Sequence, residues 1–545
     1  LKYDLTYPLD REILRAFMNQ VDDLYVVEEK RGFLEEQVAA AGLELHRDGA
    51  VGPFRLWGKR FPNGWPGFPE SKGMNPSIML GILAPVFNSL DDPTLPVDRE
   101  RINREVALIE STGAYQLRAA VRTPSFCPGC PHRDSASVLN RIVDDCRDGA
   151  YMQKHHETDP MDLVFHGDIG CYSLLKYEPF DRLMHNLSGM GLGGGTGAGI
   201  DPFIDNKQVV FMGDSTFFHT GVTAISDSIK NHQDITYIIL DNKTTAMTGH
   251  QPTPGVAQDL LGRPTFAQDI ERIARGVAGD TPTLITRMDP SQRRQYQELI
   301  QDAILRPGVK IIIADKECGI TFERRDRSRR ASLIEKHGFL PEEYHINISE
   351  DACEYCLECT RGTGCNGLTV KETAHGPKVA VDLSTCVADG ACTRVEVAGG
   401  DKTCPSFEEV IIRRQRPASV VLPPIDAGLL PNPERPPLAS VWYAYIAGVG
   451  GMGINVVASV LAQAGVRQGY QVQLTNKKGL AIRNGSVYSH LSYAPRGEVI
   501  SSIIPCGSAD LLLGLDVLEA ARGVDPAVQR LLRHFHESDG NADIE

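Results

Sequence analysis

The sequence contains no uninterrupted apolar run that approaches the roughly 20 residues of a membrane-spanning helix. It also lacks a signal peptide, because it opens with Leu1-Lys2-Tyr3-Asp4 and has no apolar stretch there. No basic domain or arm stands out, and the formal net charge is −14. These absences argue against a membrane span and against nucleic acid as a partner. The missing start methionine suggests that the chain begins inside a longer polypeptide.

The 13 cysteines are clustered rather than spread, and seven of them lie between Cys353 and Cys404. In a chain without a secretion signal, such grouping indicates metal or redox chemistry rather than a disulfide framework. A reducing cytoplasm is therefore the expected location. Cys146 and Cys506 fall outside every group and are most simply packing residues.

The pattern of apolar runs predicts a multidomain α/β protein. Over residues 119–345 short apolar runs at 209–212, 235–240 and 309–314 alternate with helical patterns. This alternation predicts a doubly wound sheet whose ligands bind at the carboxyl ends of the strands. The other expected segments are a small α/β domain over 1–118, a Cys-rich domain over 346–412, a Pro-rich linker over 413–440 and a last domain over 441–545.

Polar residues follow two of these predicted strands. Gly213-Asp214-Ser215 comes after the first, and Asp241-Asn242 comes after the second, with twenty-five residues between Ser215 and Asp241. An Asp and an Asn at neighbouring strand ends can place two hard oxygen ligands on one Mg²⁺, and the carbonyl of Thr244 would add a third. Such a metal would neutralise a diphosphate held near a helix N-terminus.

The two halves of this motif resemble the signature of thiamine diphosphate enzymes. Residues 245–252, Thr-Ala-Met-Thr-Gly-His-Gln-Pro, extend the match, as do Cys127-Pro-Gly-Cys-Pro-His-Arg133 and the glycine-rich run 189–195. Taken together they resemble the indolepyruvate:ferredoxin oxidoreductase family, within the thiamine-diphosphate-dependent 2-oxoacid:ferredoxin oxidoreductases. The resemblance implies cofactor contacts at Gly170, Met190, Gly213, Asp214, Ser215, Asn242 and Thr244. The run 189–195 is then a close-packed helix start, although a flexible loop is the simpler interpretation. His132 is either a group near the cofactor or a structural histidine.

The Cys-rich segment resembles a bacterial two-cluster ferredoxin, in which the fourth cysteine of each run binds the other cluster. On that pattern one 4Fe–4S cluster is bound by Cys353, Cys356, Cys359 and Cys404, and the other by Cys365, Cys386, Cys392 and Asp389. A carboxylate binds iron more weakly than a thiolate does. The second site could therefore hold a 4Fe–4S cluster with one Asp ligand or a 3Fe–4S cluster. Zinc is the alternative, and the long gap from Cys392 to Cys404 leaves the role of Cys404 open.

A third cluster is implied by the related 2-oxoacid oxidoreductases, in which cysteines at similar places bind a cluster close to the thiazolium ring. The corresponding residues here are Cys127, Cys130, Cys171 and Cys318. The alternative is a set of buried apolar cysteines.

The last domain opens with Gly448-Val-Gly-Gly-Met-Gly453, which satisfies the G-x-G-x-x-G pattern. The second strand is followed by Asn476-Lys477-Lys478 and by no carboxylate, so a bound dinucleotide is not expected. The region resembles the family's gamma-type domain at 478–481 and 483–487, cut short at Glu545, and such a domain helps to close the active site, near coenzyme A. The resemblance also implies that residues 1–118 form a domain like the C-terminal domain of transketolases.

The family resemblance implies oxidative decarboxylation of a 2-oxoacid, usually an aryl pyruvate such as indolepyruvate, to its acyl-CoA and CO₂, with electrons passing singly to ferredoxin. The family's catalytic glutamate lies on a pyrimidine-binding domain, which is expected upstream or on a partner subunit of a homo- or hetero-oligomer. Two alternatives stay open, a non-oxidative thiamine-dependent decarboxylase or carboligase and a non-catalytic electron-relay subunit. A basic run at Arg324, Arg325, Arg327, Arg329 and Arg330 is a candidate ferredoxin patch or, more simply, a solvated helix face.

Overall fold

The computed structural model describes residues 5–62, 64–71, 73–90, 97–113, 118–395, 403–415, 438–479 and 485–525. The chain divides into two compact units, and each is described here by itself. Unit 1 contains Leu1–Val121, Glu434–Lys477 and Val487–Glu545, and unit 2 contains Arg122–Pro433 and Lys478–Ser486. The predicted Pro-rich linker, residues 480–484 of the gamma-type match and the tail beyond 525 lie outside the described residues.

The first part of unit 1 is a small α/β arrangement. A two-stranded parallel pair is covered by helices around a core that contains Leu14, Leu24 and Val38. Its elements are α1 (Arg11–Met18), β1 (Asp23–Tyr25), α2 (Phe33–Arg47), β2 (Arg55–Trp57), α3 (Pro76–Ser89) and α4 (Arg99–Gly113).

Unit 2 is built on a six-stranded sheet in which every pair of neighbouring strands is parallel, with the order β4-β3-β5-β6-β8-β7. Its strands are β3 (Leu163–Gly167), β4 (Asn186–Leu187), β5 (Lys207–Gly213), β6 (Ile235–Asp241), β7 (Leu284–Met288) and β8 (Lys310–Asp315). The apolar runs at 209–212, 235–240 and 309–314 form the central strands, so the prediction of a parallel α/β sheet is confirmed.

Helices pack around this sheet. They are α5 (Pro131–Arg147), α6 (Gly149–His156), α7 (Leu192–Ile200), α8 (Asp214–Thr216), α9 (Val222–Lys230), α10 (Ile270–Ala278), α11 (Arg293–Leu305) and α12 (Gly319–His337). Alternate residues of β5 enter two different cores: Val209 and Phe211 belong to one, Val210 and Met212 to the other. Because both faces of the strand are buried, the strand reads as a continuous apolar run.

A π-helical turn, Phe217–Gly221, joins α8 to α9. Asp214 therefore starts a helix at the carboxyl end of β5, and one non-standard turn separates that start from the body of α9. π-Turns are uncommon and occur frequently at functional sites.

The Cys-rich stretch of unit 2 contains short elements only. They are β9 (Glu342–Ile348), α13 (Glu358–Thr363), β10 (Leu368–Thr373), β11 (Gly376–Val381) and β12 (Phe407–Arg413). β10 pairs with β11 and β9 pairs with β12, both antiparallel.

The last part of unit 1 is a four-stranded sheet with the order β14-β15-β13-β16. Its elements are β13 (Trp442–Val449), α14 (Ile454–Arg467), β14 (Gln471–Lys478), β15 (Ser486–Ala494), β16 (Leu511–Gly514) and α15 (Val517–Val524). The two parts of unit 1 contact each other, since the Cys506 N–H donates to Ser77 Oγ at 2.8 Å. Within the described residues, no helix combines the length and apolar character that crossing a membrane requires.

The glycine-rich run 189–195 forms the start of α7, and its glycines differ in their surroundings. A methyl group on Gly193 would lie 2.8 Å from the backbone of Gly167, whereas one on Gly195 would meet nothing within 4 Å. The helix start is therefore packed directly against the end of β3.

The substitution Gly193→Ala should destabilise unit 2 by about 1–3 kcal/mol, because the added methyl group overpacks the contact with Gly167. The matched substitution Gly195→Ala, on the exposed side of the same helix, should be neutral or stabilising by up to about 1 kcal/mol. Urea denaturation followed by circular dichroism measures both. Equal effects at the two positions would contradict the close packing.

His490 gives unit 1 a pH dependence. Its ring lies edge-on to Tyr445 and Tyr488, and its Nδ1 accepts a hydrogen bond from the Ile504 N–H at 3.3 Å. Burial, helped by the nearby Lys477, lowers the pKa of His490 to about 4. The unfolded chain therefore binds the proton more tightly, so this contribution to stability is present above pH 6.5 and is lost as the pH falls toward 4.

Unit 1 should lose about 2 kcal/mol of stability between pH 7 and pH 5 through this residue, and His490→Gln should remove that part of the pH dependence. The three tryptophans, Trp57, Trp65 and Trp442, all belong to unit 1, so their fluorescence reports its unfolding selectively. His46→Gln, at an exposed position of the same unit, is the control. An unchanged slope in His490→Gln would refute the assignment.

Candidate active site

The predicted metal ligands lie at the carboxyl edge of the parallel sheet. Asp214 follows β5 and Asn242 follows β6, and β5 and β6 are paired so that Gly213 is opposite Leu240. Both side chains are buried, at 2% and 6% exposure. Burial, together with the neighbouring carboxylate of Asp241, raises the pKa of Asp214 to about 7. Among the described residues no basic side chain forms an ion pair with Asp214, so its charge has no paired cation.

Hydrogen bonds fix the orientation of these two side chains. Asp214 Oδ1 accepts from the Ser215 N–H at 2.8 Å, and Oδ2 accepts from Thr253 Oγ1 at 3.4 Å. Asn242 Oδ1 accepts from the Thr244 N–H at 3.2 Å, and its Nδ2 lies 3.2 Å from His132 Nε2. The asparagine thus contacts both the loop that follows β6 and the buried histidine of α5.

His132 is 3% exposed, and burial lowers its pKa to about 4. It is therefore neutral near pH 7, and Nε2 can accept the amide proton of Asn242. Of the other predicted contacts, Thr244 and Ser215 are buried at the same strand ends, whereas Met190 is 46% exposed. Gly170 and Gly213 both approach the ring of Tyr172, which lies 2.3 Å and 3.0 Å from the positions that methyl groups there would take.

The residues around Asp168 form a contact that the sequence analysis missed. Asp168 follows β3 and is fully buried, and burial raises its pKa to about 6. It accepts hydrogen bonds from the Tyr172 hydroxyl and, at 3.0 Å, from the Gly191 N–H. Asp168 thus connects the end of β3 to the turn before α7. The sequence signal that could have identified Asp168 is the dipeptide Gly167-Asp168, which is the same as Gly213-Asp214.

A second missed group is an ion-pair network beneath Asn242. Asp241 and Asp315 end the adjacent strands β6 and β8 and are opposite each other in register. Arg287 Nη1 lies 3.2 Å from Asp241 Oδ2 and 2.5 Å from Asp315 Oδ2, and Lys243 contacts both carboxylates. Although burial alone raises it, Lys243 and Arg287 together hold the pKa of Asp315 below its usual value. The network fixes the strand end from which Asn242 emerges.

The four cysteines predicted for the proximal cluster line one cavity, together with His132 and Asn242. Two contacts bring Cys318 there: its N–H donates to the Asn242 carbonyl at 3.0 Å, and a methyl group on the following Gly319 would lie 2.4 Å from the Gly129 carbonyl oxygen. Burial and the neighbouring thiols raise the pKa of Cys171 to about 12. The cavity wall thus includes four thiols from three segments of the chain: Cys127 and Cys130, Cys171, and Cys318.

The first ferredoxin-like set also shares a cavity. Cys353, Cys356, Cys359 and Cys404 line one cavity with Val379 and Phe407. The long gap after Cys392 left the role of Cys404 open. Cys404 lies beside the other three cysteines of the first set.

Members of the second set influence one another electrostatically. Burial raises the pKa of Cys392 to about 12, and negative charge on Cys365, Asp389 and Cys386 adds to the effect. Asp389 is also ion-paired, since its Oδ2 accepts from Arg133 Nη2 at 2.7 Å. Within the part of the chain that is described, no group of three or more His, Cys, Asp or Glu side chains is arranged tightly enough to hold a single metal ion.

The remaining candidates have structural surroundings. Cys146 is fully buried in a core of unit 2 and fits a packing role. Four of the five arginines in the basic run of α12 are ion-paired with acidic residues of the same segment, as in Arg325–Glu317, Arg329–Asp326 and Arg330–Glu323. This neutralisation favours the solvated helix face over a basic docking patch.

Two family models match parts of the chain. Residues 168–314 match the family model "Thiamine pyrophosphate enzyme, C-terminal TPP binding domain", and residues 444–531 match "Pyruvate ferredoxin/flavodoxin oxidoreductase". The chain is thus related to the thiamine-diphosphate-dependent 2-oxoacid:ferredoxin oxidoreductases, and the resemblance in its motifs is confirmed.

Individual relatives refine the class. The chain is 29% identical over 398 residues to indolepyruvate oxidoreductase subunit IorA of Archaeoglobus fulgidus, which covers 72% of this chain and 54% of that protein. It is 39% identical over 80 residues to subunit IorB of Methanothermobacter thermautotrophicus, which covers 15% of this chain and 39% of that protein. The chain spans about half the length of the IorA relatives. A 2-oxoglutarate:ferredoxin oxidoreductase from Magnetococcus marinus is 18% identical with a TM-score of 0.29, covering 37% of this chain and 66% of that chain.

The network beneath Asn242 should be a source of stability. Arg287→Met leaves two partly buried carboxylates with Lys243 alone, and should cost about 1–3 kcal/mol. Arg294→Met, which removes an exposed pair with Glu298 in the same unit, should cost about 0.5 kcal/mol or less. Urea denaturation of the two variants compares them. A loss in Arg287→Met no larger than in Arg294→Met would show that the network is not a stabilising contact.

Proposed function

We propose that this chain is the catalytic and electron-transfer portion of an enzyme that oxidatively decarboxylates a 2-oxoacid, with an aryl pyruvate such as indolepyruvate as substrate. The products are the acyl-CoA and CO₂, and single electrons leave through iron–sulfur clusters to ferredoxin. One observation carries the proposal: four thiols from three chain segments line the same cavity as Asn242 and His132. A thiamine-dependent decarboxylase without an electron acceptor has no use for such a group of thiols.

The residues at the strand ends fit thiamine diphosphate and Mg²⁺. Asp214, Asn242 and the Thr244 carbonyl supply hard oxygen donors, which Mg²⁺ prefers. Asp214 is a buried carboxylate, and no described basic side chain forms an ion pair with it. The ion pairs of Asp241 with Lys243 and Arg287 hold the end of β6 in place. Asp168, which follows β3 at the same edge of the sheet, fixes the turn at Gly191 by accepting a hydrogen bond from its N–H. Bound thiamine diphosphate would supply the electron sink that allows CO₂ to leave.

The cysteines fit iron–sulfur clusters because thiolates are soft ligands that select such clusters. Cys127, Cys130, Cys171 and Cys318 would hold the proximal cluster, and Cys353, Cys356, Cys359 and Cys404 would hold the first ferredoxin-like cluster. Cys365, Cys386 and Cys392, with Asp389 at the remaining corner, would hold the second. Arg133 contacts Asp389, and Gly129 lies close to Val387. These contacts support an arrangement in which the second ferredoxin-like cluster is the neighbour of the proximal cluster.

We infer further that the complete enzyme includes a pyrimidine-binding domain that carries the catalytic glutamate, upstream or on a partner subunit. The similarity to both an IorA and an IorB protein supports a chain that combines segments which the archaeal relatives carry on separate subunits. The gamma-type domain over 441–545 would then contribute to coenzyme A binding, in a cytoplasmic homo- or hetero-oligomer.

Asp214→Ala should reduce the thiamine diphosphate retained per chain by more than about tenfold, equivalent to about 1.4 kcal/mol of binding, and should leave the iron and sulfide content unchanged. The reason is that Asp214 supplies the one carboxylate among the proposed Mg²⁺ ligands. Asp227→Ala, at an exposed position of α9, is the matched control. The measurement is cofactor analysis of anaerobically purified protein. Normal retention and activity in Asp214→Ala would eliminate the magnesium assignment.

The same analysis of the unaltered protein separates the alternatives. About 11–12 irons per chain would support three clusters, and about 7–8 would restrict the clusters to the ferredoxin-like sets. Iron and sulfide without any thiamine diphosphate would favour an electron-relay subunit. CO₂ release that needs no electron acceptor would favour a decarboxylase or carboligase.

A further inference from the structure

Arg133 is a buried cation with incomplete hydrogen bonding. It lies on α5, three residues after Cys130, and is 1% exposed. Its Nη2 donates to Asp389 Oδ2 at 2.7 Å, whereas its Nε and Nη1 have no hydrogen-bond partner among the residues that the structure describes. Asp389, by contrast, is 23% exposed. The guanidinium therefore has one acceptor and two unsatisfied buried donors.

Such an arrangement is costly in a folded protein. A guanidinium keeps its charge under all ordinary conditions, and its removal from water costs several kcal/mol unless negative groups surround it. Buried donors without acceptors add to this cost. Burial alone would lower the pKa of Arg133, but the negative charges of Asp389, Cys365, Asp134 and Cys130 overcome that effect and raise it. Asp134 is already paired with Lys316 at 2.5 Å, and Cys130 and Cys365 are the thiols whose negative charge would act on Arg133 once they are ionised as ligands.

The position of Arg133 between two cysteine sets follows from neighbouring contacts. On one side, Cys130 belongs to the proximal set. On the other side, a methyl group on Gly129 would lie 2.8 Å from Val387, two residues before Asp389, and Ser137 donates to the Gly362 carbonyl. The start of α5 is therefore the wall that separates the proximal set from the second ferredoxin-like set.

We infer that Arg133 is a positioning residue that joins these two cluster sites: it holds Asp389 at the fourth corner of the second cluster and directs two further N–H donors at the sulfur atoms of a bound cluster. The inference rests on the proposed function, since it requires that the cysteines hold clusters. Net charge and hydrogen bonds to sulfur set cluster potentials, and a fixed positive charge stabilises the reduced form. Arg133 thus raises the potential of the second cluster and draws electrons away from the proximal one.

Redox titration of the anaerobically purified full chain, followed by low-temperature paramagnetic resonance, tests this role. Asp389→Cys identifies the signal of the second cluster, because a thiolate at that corner should convert a three-iron spectrum to a four-iron spectrum or lower the potential. Arg133→Gln should then shift the potential of the same signal to more negative values and leave the cluster of Cys353, Cys356, Cys359 and Cys404 unchanged. Arg133→Lys, which keeps the charge but loses the planar fork, should shift it less.

Arg147→Gln, at the exposed end of α5, is the matched control and should shift no signal. If Arg133→Gln does not assemble, Asp389→Asn, which keeps the shape of the side chain and removes its charge, should change the second signal alone. Unchanged potentials in Arg133→Gln and Arg133→Lys, or equal shifts of every cluster, would overturn the inference. Absence of iron and sulfide from the unaltered protein would instead overturn the proposed function, so the two failures are distinguishable.

Discussion

The parallel pairing of β5, β6 and β8 is the constraint on which the candidate site depends. Because Gly213 is opposite Leu240 and Asp241 is opposite Asp315, the residues that follow these strands emerge at one edge of the sheet. Both faces of the strands are covered by apolar cores, and a one-residue slip would exchange the side chains that enter the two cores. Sheet packing thereby determines the positions of Asp214, Asn242 and the loop toward Cys318.

Charge is distributed unevenly along that edge. Asp241 and Asp315 are compensated by Lys243 and Arg287, whereas Asp168 and Asp214 are buried without a paired cation among the described residues. Accordingly, burial raises the pKa values of Asp168 and Asp214. The compensated pair stabilises the scaffold, and the uncompensated carboxylates are available for hydrogen bonding or for a cation. Arg133 is also incompletely satisfied: Asp389 neutralises its charge, but among the described residues its Nε and Nη1 have no hydrogen-bond acceptor.

Much of the sheet could be predicted from sequence because strands buried on both faces are continuous apolar runs. The positions of Asp214 and Asn242 followed from the same runs, since each comes directly after one. The cysteine at 404 could be assigned only from a pattern, and its place beside Cys353 depends on β12 pairing with β9. Arg133 and Asp389 are 256 residues apart, and nothing local in either segment indicates their contact. Asp168 was missed because a single Gly-Asp dipeptide is a common turn.

The π-helical turn at Phe217–Gly221 fixes the length of the segment between Asp214 and the body of α9. A π-turn has one residue more than an α-helical turn, so deleting a single residue there would give a regular helix that is easy to form. Each residue of an α-helix turns by about 100°, and the deletion would therefore rotate the start of the helix relative to its packed face. Natural length variation should consequently be rare in these five residues and common in the loops on the opposite edge of the sheet.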